Sequence, residues 1–306
     1  MRKHQTIPFL FFIVTLVLFV FITVNAHAQA QDDLSKLNDE FKSAESLNNW
    51  SLSHEKEQLP SKIHKLAIEN DNLVLEPGIS GWFQELQAPF VFREVTGDFD
   101  VTARMKVTGL TGDIPQVPWS LGGLMARASR QTRGDNWQPK EENWMFMTTG
   151  VAEEPGKIIT ESKFTANSRS SLKLRSSKSG WISMRLVRVG YSFVFMYKFD
   201  DEKKWTVRER FYHMNMPNTL EVGVVAYTNA LSVGNRIYFN EPKTFNNNVF
   251  EQYKADARIN VDYIRFKRPN VNFLSEPSRY WLDNVSRNNI TDYSISNDEL
   301  IKMLGE

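Results

Sequence analysis

Gly97-Asp98-Phe99-Asp100-Val101-Thr102-Ala103-Arg104-Met105-Lys106-Val107 is the stretch on which the fold turns. Phe99, Val101, Ala103, Met105 and Val107 fall on one side of an extended chain, and Asp100, Thr102, Arg104 and Lys106 on the other. A period of two with one apolar side marks a half-buried antiparallel strand. Outward from it the same period returns in Ile182, Met184 and Leu186 and again in Val222, Val224 and Ala226. Further strands are predicted over residues 73–76, 121–128, 144–148, 171–175, 192–199, 206–211 and 261–266. Many short strands with Gly, Asn or Asp at their junctions, and few helical periods, specify an all-β sandwich or barrel.

The composition narrows the chemistry. The chain has 306 residues, 41% hydrophobic and 24% charged, with a net charge of +1 and no Cys. Without Cys there is no disulfide framework, thiolate metal site or cysteine nucleophile. A near-neutral charge argues against a nucleic-acid partner, whose recognition calls for a strongly basic domain.

The two ends of the chain read differently from its middle. Met1-Arg2-Lys3-His4, an uncharged apolar run from Ile7 to Val24, and Ala26-His27-Ala28-Gln29-Ala30 are the three parts of a secretory signal peptide. Cleavage is expected after Ala28, with Ala30 as second site and an uncleaved anchor as the alternative reading. The remainder is then secreted, periplasmic or displayed on the cell surface, with no membrane contact once residues 1–28 are gone. The sandwich is expected over residues 37–269. Residues 270–306 form a polar tail that ends in a short helix from Ser296-Asn297-Asp298-Glu299 to Leu304, opened by a capping box and closed by Gly305.

Several catalytic classes drop out on motif grounds. Only His54, His64 and His213 follow the signal segment, with no His-Glu-x-x-His helix. The Gly-x-Ser-x-Gly elbow and the phosphate-cradling glycine loops are absent too. Paired carboxylates remain open, since a glycosidase needs only two acids flanking a cleft. Glu141-Glu142, Glu153-Glu154, Asp98/Asp100 and Asp200-Asp201-Glu202 are the candidates, set against solvated turns as the plainer reading. The Glu-x-Asp-x-x-Glu strand of sandwich-fold glucanases is missing.

Two features point to a ligand. Trp82, Trp119, Trp137 and Trp144 stand among Gly, Pro, Asn and charged residues, which suits either stacking against a sugar ring or core packing at strand ends. Trp50, Trp181 and Trp205 sit in regular strand patterns and read as core. Residues 163–188 hold Lys163, Arg169, Lys173, Arg175, Lys178, Arg185 and Arg188 without an acid, with Arg127, Arg130 and Arg133 upstream. Guanidinium forks bind carboxylate or sulfate, so an anionic polysaccharide is one reading and an ordinary solvated face the other.

The order of segments resembles a concanavalin A-like, laminin-G-like jelly-roll module of exported bacterial lectins and glucanases. Asp39-Glu40-Phe41, Leu73-Val74-Leu75-Glu76-Pro77, residues 96–101 and Gly122-Gly123-Leu124-Met125-Ala126-Arg127 match its first half. Residues 181–190, Phe193 to Tyr197, Lys204-Trp205-Thr206, Met216-Pro217 and Val261-Asp262-Tyr263-Ile264-Arg265-Phe266 match the second. The Phe199 to Lys204 hairpin lacks the usual Gly, and residues 132–142 read as an insertion. The resemblance implies an antiparallel two-sheet jelly-roll β-sandwich with a bias toward glycans, and it transfers no catalytic residue. The expectation is noncatalytic binding of a polysaccharide on the concave face through Arg127, Trp137, Trp144 and Arg185. A glycoside hydrolase or polysaccharide lyase is the alternative, and a structural or adhesive surface protein the third reading. No cofactor is required; a structural calcium on Asp98/Asp100 or Asp200/Asp201 fits the chemistry of such turns. Oligomeric state is not encoded in any motif.

Overall fold

The computed structural model describes residues 33–269 and 289–305; residues 1–32, where a signal segment is expected, and residues 270–288 and 306 lie outside them. Among the described residues the strands in chain order are β1 (Ser51–Leu52), β2 (Ile63–Glu69), β3 (Asn72–Pro77), β4 (Ile79–Ser80), β5 (Phe90–Thr96), β6 (Phe99–Thr108), β7 (Ser120–Arg127), β8 (Trp144–Val151), β9 (Ile158–Ala166), β10 (Arg169–Ser176), β11 (Ile182–Val189), β12 (Ser192–Phe199), β13 (Thr206–Tyr212), β14 (Thr219–Asn229) and β15 (Arg258–Lys267). They form an antiparallel two-sheet sandwich. The first sheet runs β1-β5-β14-β7-β8-β9-β10, with β4 alongside β14 as the one parallel pair, and the second runs β13-β12-β11-β6-β15-β3-β2.

The opening stretch behaves as its pattern requires. Along β6 buried and half-buried residues alternate from Val101 to Thr108, and Val101, Ala103 and Met105 are fully buried. They meet Met184, Leu186, Phe195, Val261 and Ile264 of their own sheet and Leu124, Ala126, Met145, Met147, Val222 and Val224 of the other, which together make the main core. Burial of apolar side chains from both sheets is the dominant favourable contribution in such a fold. Two of the tight hairpins are set by local chemistry. Asn70-Asp71 joins β2 to β3 and Asn167-Ser168 joins β9 to β10, each pair with both φ values positive, at 50° and 59° and at 46° and 61°. Such left-handed two-residue turns match the twist of the flanking strands.

Both outer faces of the sandwich are partly covered. Ile290, Leu300, Ile301 and Leu304 pack on Val187, Val194, Met196 and Val207 of the second sheet. The helix Asn297–Met303 begins where the sequence predicts, with the Ser296 hydroxyl accepting from the Glu299 N–H at 3.2 Å. The C-terminal residues therefore form a layer of the fold. On the first sheet the cover is drawn from the helix Ser53–Glu57, residues 78–87, the loop at 129–142 and a helical excursion containing Asn235–Asn240 and Pro242–Asn246. That excursion has no counterpart in the sequence reading.

Candidate functional site

The outer face of the first sheet collects most of the chemistry. Strand register alone arranges it in rows across the sheet. Glu94, Glu221, Arg127, Trp144 and Thr165 lie side by side on β5, β14, β7, β8 and β9. The next row is Phe92, Gly223, Met125, Phe146 and Lys163, and the third is Phe90, Val225, Gly123, Thr148 and Glu161. Side chains two residues apart on a strand share a face, so Glu161 and Lys163 are neighbours by construction.

Arg127 is the hub of the first row and has no exposed surface. Its Nε and Nη2 donate to Glu142 at 3.1 and 3.0 Å, and its Nη1 donates to Glu57 at 2.9 Å and to Glu221 at 3.1 Å. Arg130 extends the network to Glu85 and Glu142, both at 3.0 Å, and Lys56 pairs with Glu221 at 2.9 Å. Burial alone would push the Glu142 carboxyl up, but Arg127 and Arg130 outweigh it and hold it below the usual carboxylate range. Glu57 goes the other way: burial raises it and Arg127 offsets only part of the rise.

The second centre is Glu161. Its carboxylate accepts from Thr148 Oγ1 at 3.1 Å and from the Tyr227 hydroxyl, and lies 2.9 Å from the Lys163 ammonium. Burial, and then the Glu161 charge, push the Tyr227 hydroxyl well above its ordinary value. Lys163 donates to the Trp82 carbonyl at 2.9 Å and is ringed by Phe146, Tyr227, Trp119 and Phe83, with centroids 5.2 to 5.9 Å away. Rings so placed present their negative faces to the ammonium.

The cover closes over these groups. Trp82 packs edge-on against Trp144 with centroids 5.7 Å apart, and Phe83 stacks on Tyr238 at 5.9 Å. The close approach depends on Gly81, where a Cβ would come within 2.7 Å of the Ala230 Cβ. Asn246 clamps the strap from behind, accepting from the Gln87 N–H at 2.9 Å and donating to the Glu85 carbonyl at 2.8 Å. The indole N–H groups of Trp82 and Trp144 are buried with no partner among the described residues.

Arg127, Trp144 and Trp137 are brought together on this face, with Arg130 over the Trp137 ring at 5.1 Å. Trp144 is stacked on Phe146 at 5.2 Å and, like Arg127, shows no surface to solvent, whereas Trp137 is half-buried. Arg185 stands apart, on the outer face of the second sheet, held by Asp100 at 2.8 and 2.6 Å under the C-terminal carbonyls of Leu304 and Gly305. Among the tryptophans expected in the core, Trp50 is buried and donates to Asp39 at 2.8 Å, while Trp181 and Trp205 are half-buried.

The acid-free run at 163–188 does not form one basic face. Lys163 is under the cover, Lys178 pairs with Asp201 at 2.7 Å, Arg185 with Asp100, and Arg188 donates to the carbonyls of Gly190, Pro217 and Asn218. The carboxylates considered for calcium do not fit that role. Asp100 is gripped by Arg185, Asp200 by Arg104 at 2.5 Å and Asp201 by Lys178, and Asp98 accepts from the Gly190 N–H at 2.7 Å. Among the described residues no three His, Asp or Glu side chains gather as a cation site. Glu57, Glu85, Glu161, Glu221 and Tyr227 were not singled out from the sequence. The i, i+2 pairing of Glu161 and Lys163 within an extended run was the available signal for one of these.

No family model matches this sequence, and no curated protein does. Its likeness is to solved structures. A functionally unknown protein from Saccharomyces cerevisiae superposes with a TM-score of 0.50 at 13% identity, covering 73% of this chain and 98% of that one. A GH43 protein from Bacillus licheniformis gives 0.50 at 11%, over 78% of this chain and 40% of that chain. A xylan β-1,4-xylosidase from Bacillus halodurans gives 0.50 at 12%, over 76% and 39%. This chain thus spans about two fifths of the two longer proteins, and at such identities the shared property is the sandwich fold.

Proposed function

We propose that this is an exported, noncatalytic carbohydrate-binding sandwich that takes a polysaccharide on the outer face of its first sheet, the concave face expected from the sequence. The observation that carries the reading is the Lys163 centre: an ion pair with Glu161 enclosed by four aromatic rings, two of which, Phe83 and Trp119, are only half-buried at its margin. Aromatic faces for the sugar ring beside a small set of fixed polar groups are what a glycan site requires. Arg127 and Trp144, fully covered, then support the face from within, and Trp137, half-buried, is the one of the three with surface to offer a ligand. The fold shared with proteins named for GH43 and xylan chemistry supports the same substrate class.

Noncatalytic binding is favoured over hydrolysis by charge pairing. Arg127 and Arg130 hold the Glu142 carboxyl below the usual carboxylate range, and Glu161 and Glu221 are engaged in ion pairs with Lys163 at 2.9 Å and Arg127 at 3.1 Å, so none of the three is free to serve as a general acid. Glu57, raised by burial, is the one observation on the side of an enzyme. The test is a polysaccharide panel, xylan included, scored for column retention and for release of reducing or unsaturated ends. Retention without product, weakened by Trp119→Ala and Phe83→Ala, supports binding. Product release lost in Glu57→Gln establishes the enzyme, and absence of both leaves the structural or adhesive role. Export is part of the proposal, with residues 37–269 as the binding domain. Sequencing the mature protein is expected to start at Gln29. Among the described residues no helix is long and apolar enough to cross a membrane.

A further inference from the structure

The open edge of the sandwich, where β10, β13 and the C-terminal residues meet, holds three arginines that pair with no carboxylate among the described residues. Arg175, Arg208 and Arg210 line a cleft of about 90 Å³ together with Val207, Glu209, Tyr293 and Asn297. Arg208 is 1% exposed and bridges the two sheets, donating from Nε to the Thr160 hydroxyl at 3.2 Å and from Nη2 to the carbonyls of Thr160 at 3.1 Å and Lys173 at 2.5 Å. Its Nη1 is buried and has no partner among the described residues. Arg210 donates from Nη1 to the Asp292 carbonyl and from Nη2 to the Ile295 carbonyl and the Asn297 side chain at 2.9 and 2.7 Å, and its Nε has no partner among the described residues. Arg175 is exposed on β10, and its side chain makes no hydrogen bond or ion pair among the described residues.

The one acid in the cleft is already engaged. Glu209 pairs with Lys173 at 2.7 Å and accepts from the Tyr293 hydroxyl at 3.0 Å. Three guanidinium charges therefore face a space whose one carboxylate, Glu209, is held by Lys173 and Tyr293 and whose other acceptors are neutral carbonyls and amides. Burial, and then repulsion from Arg175, push Arg208 down to about 10. A buried arginine with a free N–H and a like-charged neighbour is a donor lacking its acceptor, and such forks match the oxygens of sulfate or phosphate.

We propose that this cleft binds a single tetrahedral oxyanion, a sulfate or phosphate group, through Arg175, Arg208 and Arg210. Its size selects the group rather than a sugar, since small-molecule pockets run to roughly 300–1,000 Å³. The site lies at the sandwich edge, apart from the Lys163 centre, and stands whether or not the glycan reading does. It also gives part of the acid-free run, Lys173 and Arg175, a place beside an anion.

The experiment is calorimetric titration of the full mature chain with sodium sulfate, and separately with phosphate, against sodium chloride at matched ionic strength. One saturable sulfate or phosphate site per chain is expected. Arg175→Ala, which breaks no contact in the fold, is expected to weaken it about tenfold or more, while Arg169→Ala, equal in charge and on the same strand, leaves it within about twofold. Titration with a sugar sulfate ester separates the sources: affinity equal to that for the free ion identifies a substituent of a larger ligand, and affinity for the free ion alone identifies an ion site. Heats that chloride reproduces, or equal losses in the two variants, would overturn the proposal. Retention on a neutral polysaccharide is unaffected by Arg175→Ala, so this test and that of the glycan site fail separately.

Discussion

Arg185 grips Asp100 with both arms of its guanidinium, at 2.8 and 2.6 Å, and with the same group donates to the carbonyls of Leu304 and Gly305 at 2.6 and 2.8 Å. One side chain thus ties β6, β11 and the end of the last helix. Arg185→Ala would leave the Asp100 carboxylate buried beside a single lysine, Lys267, 3.5 Å away. Breaking one partner of a buried pair costs about 3–5 kcal/mol. Urea unfolding is expected to show a loss of this order, and limited proteolysis to release the C-terminal residues first.

The Glu161–Lys163 pair is expected to be strongly coupled. Lys163→Met leaves a buried carboxylate held only by Thr148 and Tyr227, and Glu161→Leu leaves a buried ammonium. Each single change should destabilise by roughly 3–5 kcal/mol and the double change by much less than the sum. A double-mutant cycle in chemical denaturation measures the difference; additive losses would refute the coupling.

Gly122 sits between the sheets, where a Cβ would come 2.2 Å from Ile259 Cγ1. Gly122→Ala overpacks the core and should cost about 1–3 kcal/mol. At Gly112 nothing lies within 4 Å of the added carbon, so Gly112→Ala is expected to unfold at the temperature of the parent chain.

Lys62 supplies a pH signature. It is buried, donates to the Phe245 carbonyl at 2.7 Å, and burial pushes it from 10.5 down to about 7. Its value in the folded chain lies below that in the unfolded chain. Between these values the unfolded chain binds the proton more strongly, so stability from this residue rises with pH from about 7 towards 10 and its penalty is fully present below about 7. Relative to the parent, Lys62→Met should therefore be most favourable near pH 6 and lose that advantage by pH 10, read as the difference in Tm across a pH series. A difference independent of pH would contradict the assignment.

Ser296→Ala removes the N-cap of the C-terminal helix, whose Ser296 Oγ accepts from Glu299 N–H. About 1 kcal/mol is expected. Hydrogen exchange should place the loss in residues 297–304, with β11 and β12 following only if that layer detaches.

What the sequence made legible was whatever depends on near neighbours. The alternation along β6, the start of the last helix at Ser296, and β12 over Ser192–Phe199 all follow from side chains a few residues apart. β7 and β8 are buried along their whole length on both faces, so Arg127 and Trp144 carry no periodic mark of being covered. Arg127 read as a free cation because its acids Glu57 and Glu221 are 70 and 94 residues away in sequence. Phe90–Thr96 and Ile158–Ala166, which supply Phe90, Phe92, Glu161 and Lys163, carry no alternation where those residues lie, because Phe90, Val91 and Phe92 and then Thr160, Glu161, Ser162 and Lys163 are buried consecutively on both faces.

The Arg127 hub also bears on the order in which the chain acquires its shape. Its three carboxylates come from a helix before β5, from the loop before β8 and from β14, with sequence separations of 70, 15 and 94 residues. An arginine cannot be withdrawn from water until its acids arrive, because the desolvation cost comes before the compensating pairs. The first sheet can close over this residue only after β14 has emerged and docked between β5 and β7. Non-local closure of this kind slows folding, and a chain without disulfides has no covalent clamp to hold an early register. Until then the half-made sheet has Phe90, Phe92, Trp144 and Phe146 uncovered, which makes this face the surface that a folding chaperone would need to shield.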